Sequence, residues 1–343
     1  MKVVLELPLW RSNCGGLIRF MKLAQELPHF NAKSGGITES IKMCEKIIQE
    51  YDIEVHVRFQ KTFENEVAPI IPGVSMSLGM PNQDFPKCDV GITYSDTPFI
   101  DEFAALPQIK RKFAFMLSYG MAIHRERKVA LHPGVSCMST TRRTQRLIEA
   151  EGGKCHWVGF GFENEKWFPN PSIIRKPYAS ILYHPQAAKR YKEAVAVVDR
   201  LYNEGRIEGV LTFGMIGGYE KAIKPKGLIR HIVNASQEEV RDIFSESMVF
   251  IMPSTTEGLN LTPIEATLCG CPAVLCDGAI GEIFFDKQNC MVSSFDVNEV
   301  YNNTNELIRG WIHYGPTFYD FMKGTIQDYT WDRHIERILE FVS

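Results

Sequence analysis

Two series of short apolar, β-branched runs, each interleaved with helical stretches, restrict this 343-residue chain to α/β architectures with two sheets. The first series is KVVLEL at the start, IEVHVRF (53–59), DVGITYS (89–95) and KFAFML (112–117). The second is ASILYH (179–184), GVLTFG (209–214), MVFIMP (248–253) and PAVLCD (272–277). The length exceeds what one core comfortably fills, which agrees with two lobes. Between the series lies GFENEKWFPNPSIIRKPY (161–178), whose three prolines leave few regular hydrogen bonds, so the interdomain linker is expected there. The expected division is a first lobe over 1–165, a second over 166–325, and a terminal segment, 326–343. That segment holds the helix DRHIERILEFV (332–342), expected to pack back toward the first lobe.

Hydrophobic residues at 45% and charged residues at 23% describe a globular protein rather than a disordered one. The opening MKVVLELPLWRS has no apolar core long enough for a signal peptide, and no other stretch approaches membrane-spanning length, so a cytoplasmic location is expected. Nine cysteines without C-x-x-C spacing suit a reducing compartment, and Cys269 and Cys271 read as buried thiols. The net charge of -3 gives no general attraction to polyanions. Residues 101–150 nevertheless hold nine Lys or Arg against four Asp or Glu, in IKRK (109–112), HRERK (124–128) and TRRTQR (141–146). These clusters suit an anionic acceptor or a membrane surface, or are simply solvated helix faces.

The first forty residues contain an internal echo: MKVVLELPLWRSNCGGL and MKLAQELPHFNAKSGGI match at an offset of twenty. One Gly-Gly, at 15–16 or at 35–36, can form the first strand-to-helix turn, where missing side chains let amides approach a phosphate. Gly35 and Gly36 fit better, because ITESIKMCEKIIQEY and then IEVHVRF follow at normal spacing, although KLAQEL is a poorer strand than KVVLEL.

The stretch that carries chemistry is PSTTEGLNLTPIEATLCGCPAV (253–274), read as strand end, loop, helix and next strand. Thr262 suits a helix N-cap, Pro263 the first helical position, and Gly270 with Pro272 a stop. A helix start presents unpaired N–H groups and a positive dipole end, so Gly258-Leu259-Asn260-Leu261 could hold a diphosphate without metal. Glu257 and Glu265 would set carboxylates on either side of that anion site. The plainer reading of Glu265 is a capping box, since T-P-I-E is itself that pattern.

Residues 253–274 resemble the Glu-x7-Glu motif of the retaining GT-B glycosyltransferases of the glycosyltransferase group 1 family. The likeness extends to DGAIGEIFFDKQNCMV (277–292), SQEEVRDIFSESMVFIMPS, VGFGFENEKWFP and YTWDRHIERILEF, and is looser in the first half of the chain. It implies an α/β GT-B fold, two Rossmann-like lobes facing across a cleft. It also implies an enzyme that moves a sugar from a nucleoside diphosphate sugar to an acceptor hydroxyl with retained configuration. By the same resemblance, Glu265 would bind the donor ribose, Glu257 the transferred sugar, and the amides of Gly258, Leu259, Asn260, Leu261 and Thr262 sugar and phosphate. Gly214 resembles the glycine beside which the base lies.

Lys189, in ILYHPQAAKRYKEA, matches the family's clamp lysine, but its partner arginine is not evident, and Arg190 stands where a glycine is usual. Arg190 or Lys192 could substitute; an exposed helix start is the plainer reading of all three. Where many relatives carry a first-lobe histidine, this chain has Ser118-Tyr119-Gly120, and His124 in its basic run reads as surface.

No Asp-x-Asp occurs and no His, Cys and Asp cluster has ligand spacing, so metal-independent transfer without a resident cofactor is expected, with Lys189 and helix-start amides carrying the leaving diphosphate. The acceptor stays open between an anionic molecule (lipid-linked, phosphorylated, or less favourably nucleic acid) and a glycan, with peripheral membrane contact allowed. A nucleotide-sugar epimerase or a catalytically silent sugar-nucleotide-binding protein are the alternatives. A dehydrogenase is disfavoured because no G-x-G-x-x-G follows a strand.

Overall fold

The computed structural model describes residues 5–8, 20–29, 42–47, 49, 55–61, 74–78, 87–95, 97–120, 123–214 and 218–342, with backbone alone for the first four strands. The chain forms two compact units, Met1–Gly161 with Tyr329–Ser343, and Phe162–Asp328.

In the first unit, strands β1 (Leu5–Pro8), β2 (Phe20–His29), β3 (Val55–Lys61), β4 (Val74–Leu78), β5 (Cys88–Tyr94), β6 (Ile109–Met116), β7 (Ser136–Ser139) and β8 (Cys155–Trp157) share one sheet. The order is β4-β3-β2-β5-β6-β7-β8, parallel throughout, with β1 antiparallel on β2. The helices are α1 (residues 42–47), α2 (Ile100–Ala104), α3 (Ile123–Ala130) and α4 (Arg142–Ala150). The two echoing N-terminal segments both become strands and pair with each other, Leu5 opposite Leu23 and Pro8 opposite Phe20. KLAQEL, the weaker strand by propensity, takes the central place between β3 and β5. Pairing on both sides overrides intrinsic preference there. Both Gly-Gly pairs, 15–16 and 35–36, lie outside the described residues.

The last helix, α10 (Trp331–Val342), belongs to this unit. It buries Trp331, His334, Ile335, Ile338 and Val342 on one stripe of helical period. His334 Nδ1 donates to the Val158 carbonyl at 3.1 Å, and Phe341 stacks on His156 with ring centres 4.3 Å apart. Gly161 permits the approach of Trp331, since a Cβ there would lie 2.2 Å from the indole.

The second unit has β9 (Tyr178–Tyr183), β10 (Gly209–Gly214), β11 (Leu228–Val233), β12 (Val249–Met252), β13 (Ala273–Cys276) and β14 (Met291–Ser293), ordered β11-β10-β9-β12-β13-β14 and all parallel. Helices α5 (Tyr191–Asn203), α6 (Gln237–Glu246), α7 (Leu261–Leu268), α8 (Val297–Arg309) and α9 (Trp311–Ile326) complete it. VFIM and AVLC are buried at every position, as strands covered on both faces must be. Helix α5 buries Tyr191, Ala194, Val195, Val198 and Leu201 at helical spacing, and α6 starts on a reciprocal Ser236–Glu239 capping box.

Both sheets step outward from their first parallel strand and then cross back to its other side, which is Rossmann order. The crossing point of the second unit falls between β9 and β12, so the loops leaving those strands emerge side by side. Among the described residues no helix is long and apolar enough to cross a membrane.

Candidate functional site

The loop after β9 runs through His184 into a 3-10 turn, Ala187–Lys189, and the loop after β12 runs from Pro253 to Asn260. They are stitched together where the Thr255 amide donates to the Ala188 carbonyl at 2.8 Å. Gly278, after β13, lies against the same loop: a Cβ there would come within 2.2 Å of the Thr255 carbonyl oxygen.

This stitching brings together two residues 68 apart in sequence. Lys189 Nζ donates to both carboxylate oxygens of Glu257 at 2.7 Å, with side chains only 15% and 6% exposed. Removing either partner would strand a charge in a place with little water. His184 completes the group. Its Nδ1 accepts from the Gln186 amide at 3.2 Å, which places the proton of the neutral ring on Nε2. Burial, and then Lys189, hold its pKa below the ordinary histidine value, with Glu257 opposing them.

Arg190 begins α5 with φ of 50°, the left-handed region that glycine tolerates best. Its Nη2 donates to the Phe295 carbonyl at 2.9 Å and its Nε to Glu193 at 3.3 Å, so the guanidinium is tied to the segment after β14. Lys192 is exposed on α5.

Helix α7 starts two residues earlier than T-P-I-E suggests. Its N-cap is Asn260, at φ of 58°, and no side chain caps the first turn; Thr262 lies inside the helix, so the capping box does not form. Asn260 is held by packing instead. It is 6% exposed and its Nδ2 donates to the Ala279 carbonyl at 3.1 Å, while its buried Oδ1 has no partner among the described residues. The amides of Leu261 and Thr262 therefore open the helix beside Glu257 in sequence, with Gly258 and Leu259 partly exposed before them. Glu265 is partly exposed on α7. Gly214 ends β10 opposite Tyr183, and a Cβ there would stand 2.3 Å from the Tyr183 carbonyl oxygen.

In the first unit, Ser118-Tyr119-Gly120 is held in place. Buried Glu126, 1% exposed, accepts from Ser118 Oγ and from the Gly120 amide at 2.6 Å each, and Tyr119 donates to Glu151 at 2.7 Å. His124 is exposed on α3. The basic clusters are partly neutralised by Lys110–Asp89, Lys128–Asp101 and Arg127–Glu151, whereas Arg125 and Arg146 face solvent. Among the described residues no group of three or more His, Cys, Asp or Glu could hold a metal ion.

The pairing at the crossing point lies in a stretch of known kind. Residues 179–310 match the family of glycosyl transferases group 1. The matched residues all lie within the second unit. Three solved structures show the likeness in fold. TarM of S. aureus, in a complex containing UDP, aligns with a TM-score of 0.61 at 13% identity, covering 74% of this chain and 55% of that one. The chain thus spans about half the length of TarM. HepE of Anabaena in complex with UDP aligns with a TM-score of 0.69 at 13% identity, covering 93% and 99% of the two chains. Sucrose-phosphate synthase of Thermosynechococcus elongatus gives 0.73 at 12% identity, covering 93% and 97%. These likenesses show the GT-B fold, two Rossmann-like units. No curated protein matches the chain by sequence.

His184 is the residue that sequence reading missed. Its signal is positional only: it is the first residue after the strand that ends at the crossing point.

Proposed function

We propose that the chain transfers a glycosyl group from a nucleoside diphosphate sugar to an acceptor hydroxyl with retained configuration, without a divalent metal at the donor site. The observation that carries this reading is the nearly buried Lys189–Glu257 pair at the crossing point, in line with the uncapped first turn of α7. A pair of this kind can open toward a ligand. Lys189 would turn to the leaving diphosphate, and Glu257 would accept from hydroxyls of the transferred sugar. As the glycosidic bond breaks, charge grows on the diphosphate, and fixed donors aimed at that charge lower the barrier most. The Leu261 and Thr262 amides supply such donors, and the leaving phosphate itself takes the acceptor proton. Glu265 would hold the ribose, Gly214 would leave room for the base, and Gly258 would let backbone approach the sugar. Asn260 Oδ1 is an acceptor awaiting a donor. Arg190 would support this loop through its bond to Phe295, and Gly35 with Gly36 would supply the glycine turn of the first unit. A cytoplasmic setting and an acceptor that is a glycan or an anionic, lipid-linked or phosphorylated molecule belong to the same proposal. Exposed Arg125 and Arg146 support the anionic choice.

A second reading is a silent sugar-nucleotide-binding protein. It is favoured by one observation, the hold of Glu126 on Ser118 and Gly120, where many relatives carry a histidine.

The experiment is a thermal-shift and calorimetric panel of UDP, GDP, ADP, their common sugars and NAD(P), in excess chelator, on wild type and Glu265→Ala. Selective binding of one nucleoside diphosphate, weakened in the variant, supports the donor class; a response to NAD(P) alone overturns it. Binding with neither transfer nor donor hydrolysis selects the silent reading.

A further inference from the structure

The opposite end of the second sheet holds a cation that the donor site does not use. Arg175 lies just before β9, and its guanidinium reaches across the N-terminal ends of β12 and β13. Nη1 donates to the carbonyls of Phe244, at 2.9 Å, and Ser247; Nη2 donates to the carbonyl of Cys269 at 2.7 Å. Gly270, at φ of 74°, lets it come close, since a Cβ there would stand 3.0 Å from Nη2. A guanidinium has five N–H groups. Three are used here, leaving Nε–H and one N–H of Nη2.

Among the described residues no carboxylate pairs with Arg175. Its three carbonyl partners stand at the C-terminal ends of α6 and α7, where the helix dipole puts partial negative charge. Burial pushes its pKa below the ordinary arginine value. The guanidinium also lies 5.0 Å from the centre of the Trp311 ring.

The same guanidinium lines a cavity of about 350 Å³, at the small end of the range for ligand sites. The walls are apolar: Pro169, Pro171, Ile173, Trp311, Pro316 and Tyr319. Of the polar groups around it, Ser245 Oγ already donates to the Arg241 carbonyl and accepts from the Asn170 amide, and Asn170 Nδ2 donates to Asp242. Trp311 Nε1 is buried and has no partner among the described residues. Apart from the Tyr319 hydroxyl, which can donate or accept, what is left among the described residues is donors. One cation with two spare N–H groups inside apolar walls suits a single carboxylate on an apolar body. A phosphate dianion would call for more donors than the cavity has.

We infer that this cavity is a second ligand site, separate from the donor site, that takes a small carboxylate with an apolar or aromatic body, held by Arg175 and stacked near Trp311. The inference stands independently of the proposed donor chemistry, because the donor site lies at the C-terminal ends of the same strands.

The test is calorimetric titration of the full chain with benzoate and 3-phenylpropionate, and with benzamide and 3-phenylpropionamide as neutral controls. The expected result is carboxylate binding at about 1 mM or tighter, preferred over the amides by more than about tenfold, as a charge-assisted pair provides. Arg175→Gln should abolish the preference. Because that variant also loses three carbonyl bonds, Ile173→Trp serves as a second variant, filling the cavity from its wall without replacing the guanidinium; it should block both carboxylates while keeping the wild-type circular dichroism spectrum and a cooperative thermal transition. Equal binding of acids and amides, no binding of either, or undiminished carboxylate binding in Ile173→Trp would each overturn the inference.

Discussion

The Thr255 amide bonds the Ala188 carbonyl at 2.8 Å, and this one backbone link sets the register of two loops whose tips carry Glu257 and Lys189. The ion pair beyond it therefore forms between groups already held in place, so little side-chain entropy opposes it.

The first prediction concerns that pair. Lys189→Met should destabilise the protein by about 3 kcal/mol, because Glu257 is left charged and nearly buried without its partner. Lys189→Met with Glu257→Gln should recover more than half of that loss. Urea unfolding of Lys189→Met, Glu257→Gln, the double variant and the wild type measures the coupling. If the double variant is as unstable as the sum of the singles, the pair is not coupled.

Arg190 offers a test of backbone strain. Arg190→Ala removes the bonds to Phe295 and Glu193 but keeps a side chain at φ of 50°, whereas Arg190→Gly removes both bonds and strain. The glycine variant should be the more stable of the two by about 1 kcal/mol. Their thermal midpoints decide the matter, and equal midpoints would mean that the left-handed backbone costs nothing here.

His184 should make donor binding proton-linked. Its pKa is held low by burial and by Lys189, with Glu257 opposing. A diphosphate placed beside it would favour the charged ring, raise that pKa and draw in a proton. Nucleotide affinity should therefore increase as pH falls from about 7.5 toward 6. Calorimetry in buffers of different ionisation enthalpy reads the proton uptake directly. His184→Asn should show less uptake than wild type; the same uptake in both would remove His184 from the donor site.

His334 predicts a pH dependence of stability. Burial, and then Arg337, push its pKa down to about 4, opposed by its bond to Val158. The unfolded chain takes up a proton near the ordinary value of about 6.5, which the folded chain refuses until about 4. The stabilising contribution is thus complete above that ordinary value and declines as pH falls through the window. The full loss is about 3 kcal/mol. Between pH 7 and 5, His334→Leu should lose less of its melting temperature than wild type does. A parallel decline in both would assign the acid sensitivity to other groups.

The central strands of the second unit were readable because parallel strands covered on both faces must be apolar at every position, as VFIM and AVLC are. Edge and short strands carry no such mark: Cys155–Trp157 has three residues, and Leu228–Val233 is partly exposed along its length. Glu257 and Lys189 could be named from pattern, but their contact could not, since it depends on β9 and β12 being neighbours. The same holds for His184, whose neighbour Glu257 is distant in sequence. The start of α7 was misplaced for a different reason. Capping patterns read side-chain chemistry, whereas Asn260 takes its left-handed turn through a tertiary bond to Ala279.

Because α10 belongs to the first unit while the whole second unit is contained between Phe162 and Asp328, the chain begins one body, completes another, and only then returns. During synthesis the order of completion is therefore the reverse of the order of translation. A nascent chain that has emerged as far as Asp328 owns every strand of its second sheet, while Val158, His156 and Phe113 still lack the helix that covers them. Until residues 331–342 leave the ribosome, the earlier half remains an open core, the segment most in need of a chaperone's cover.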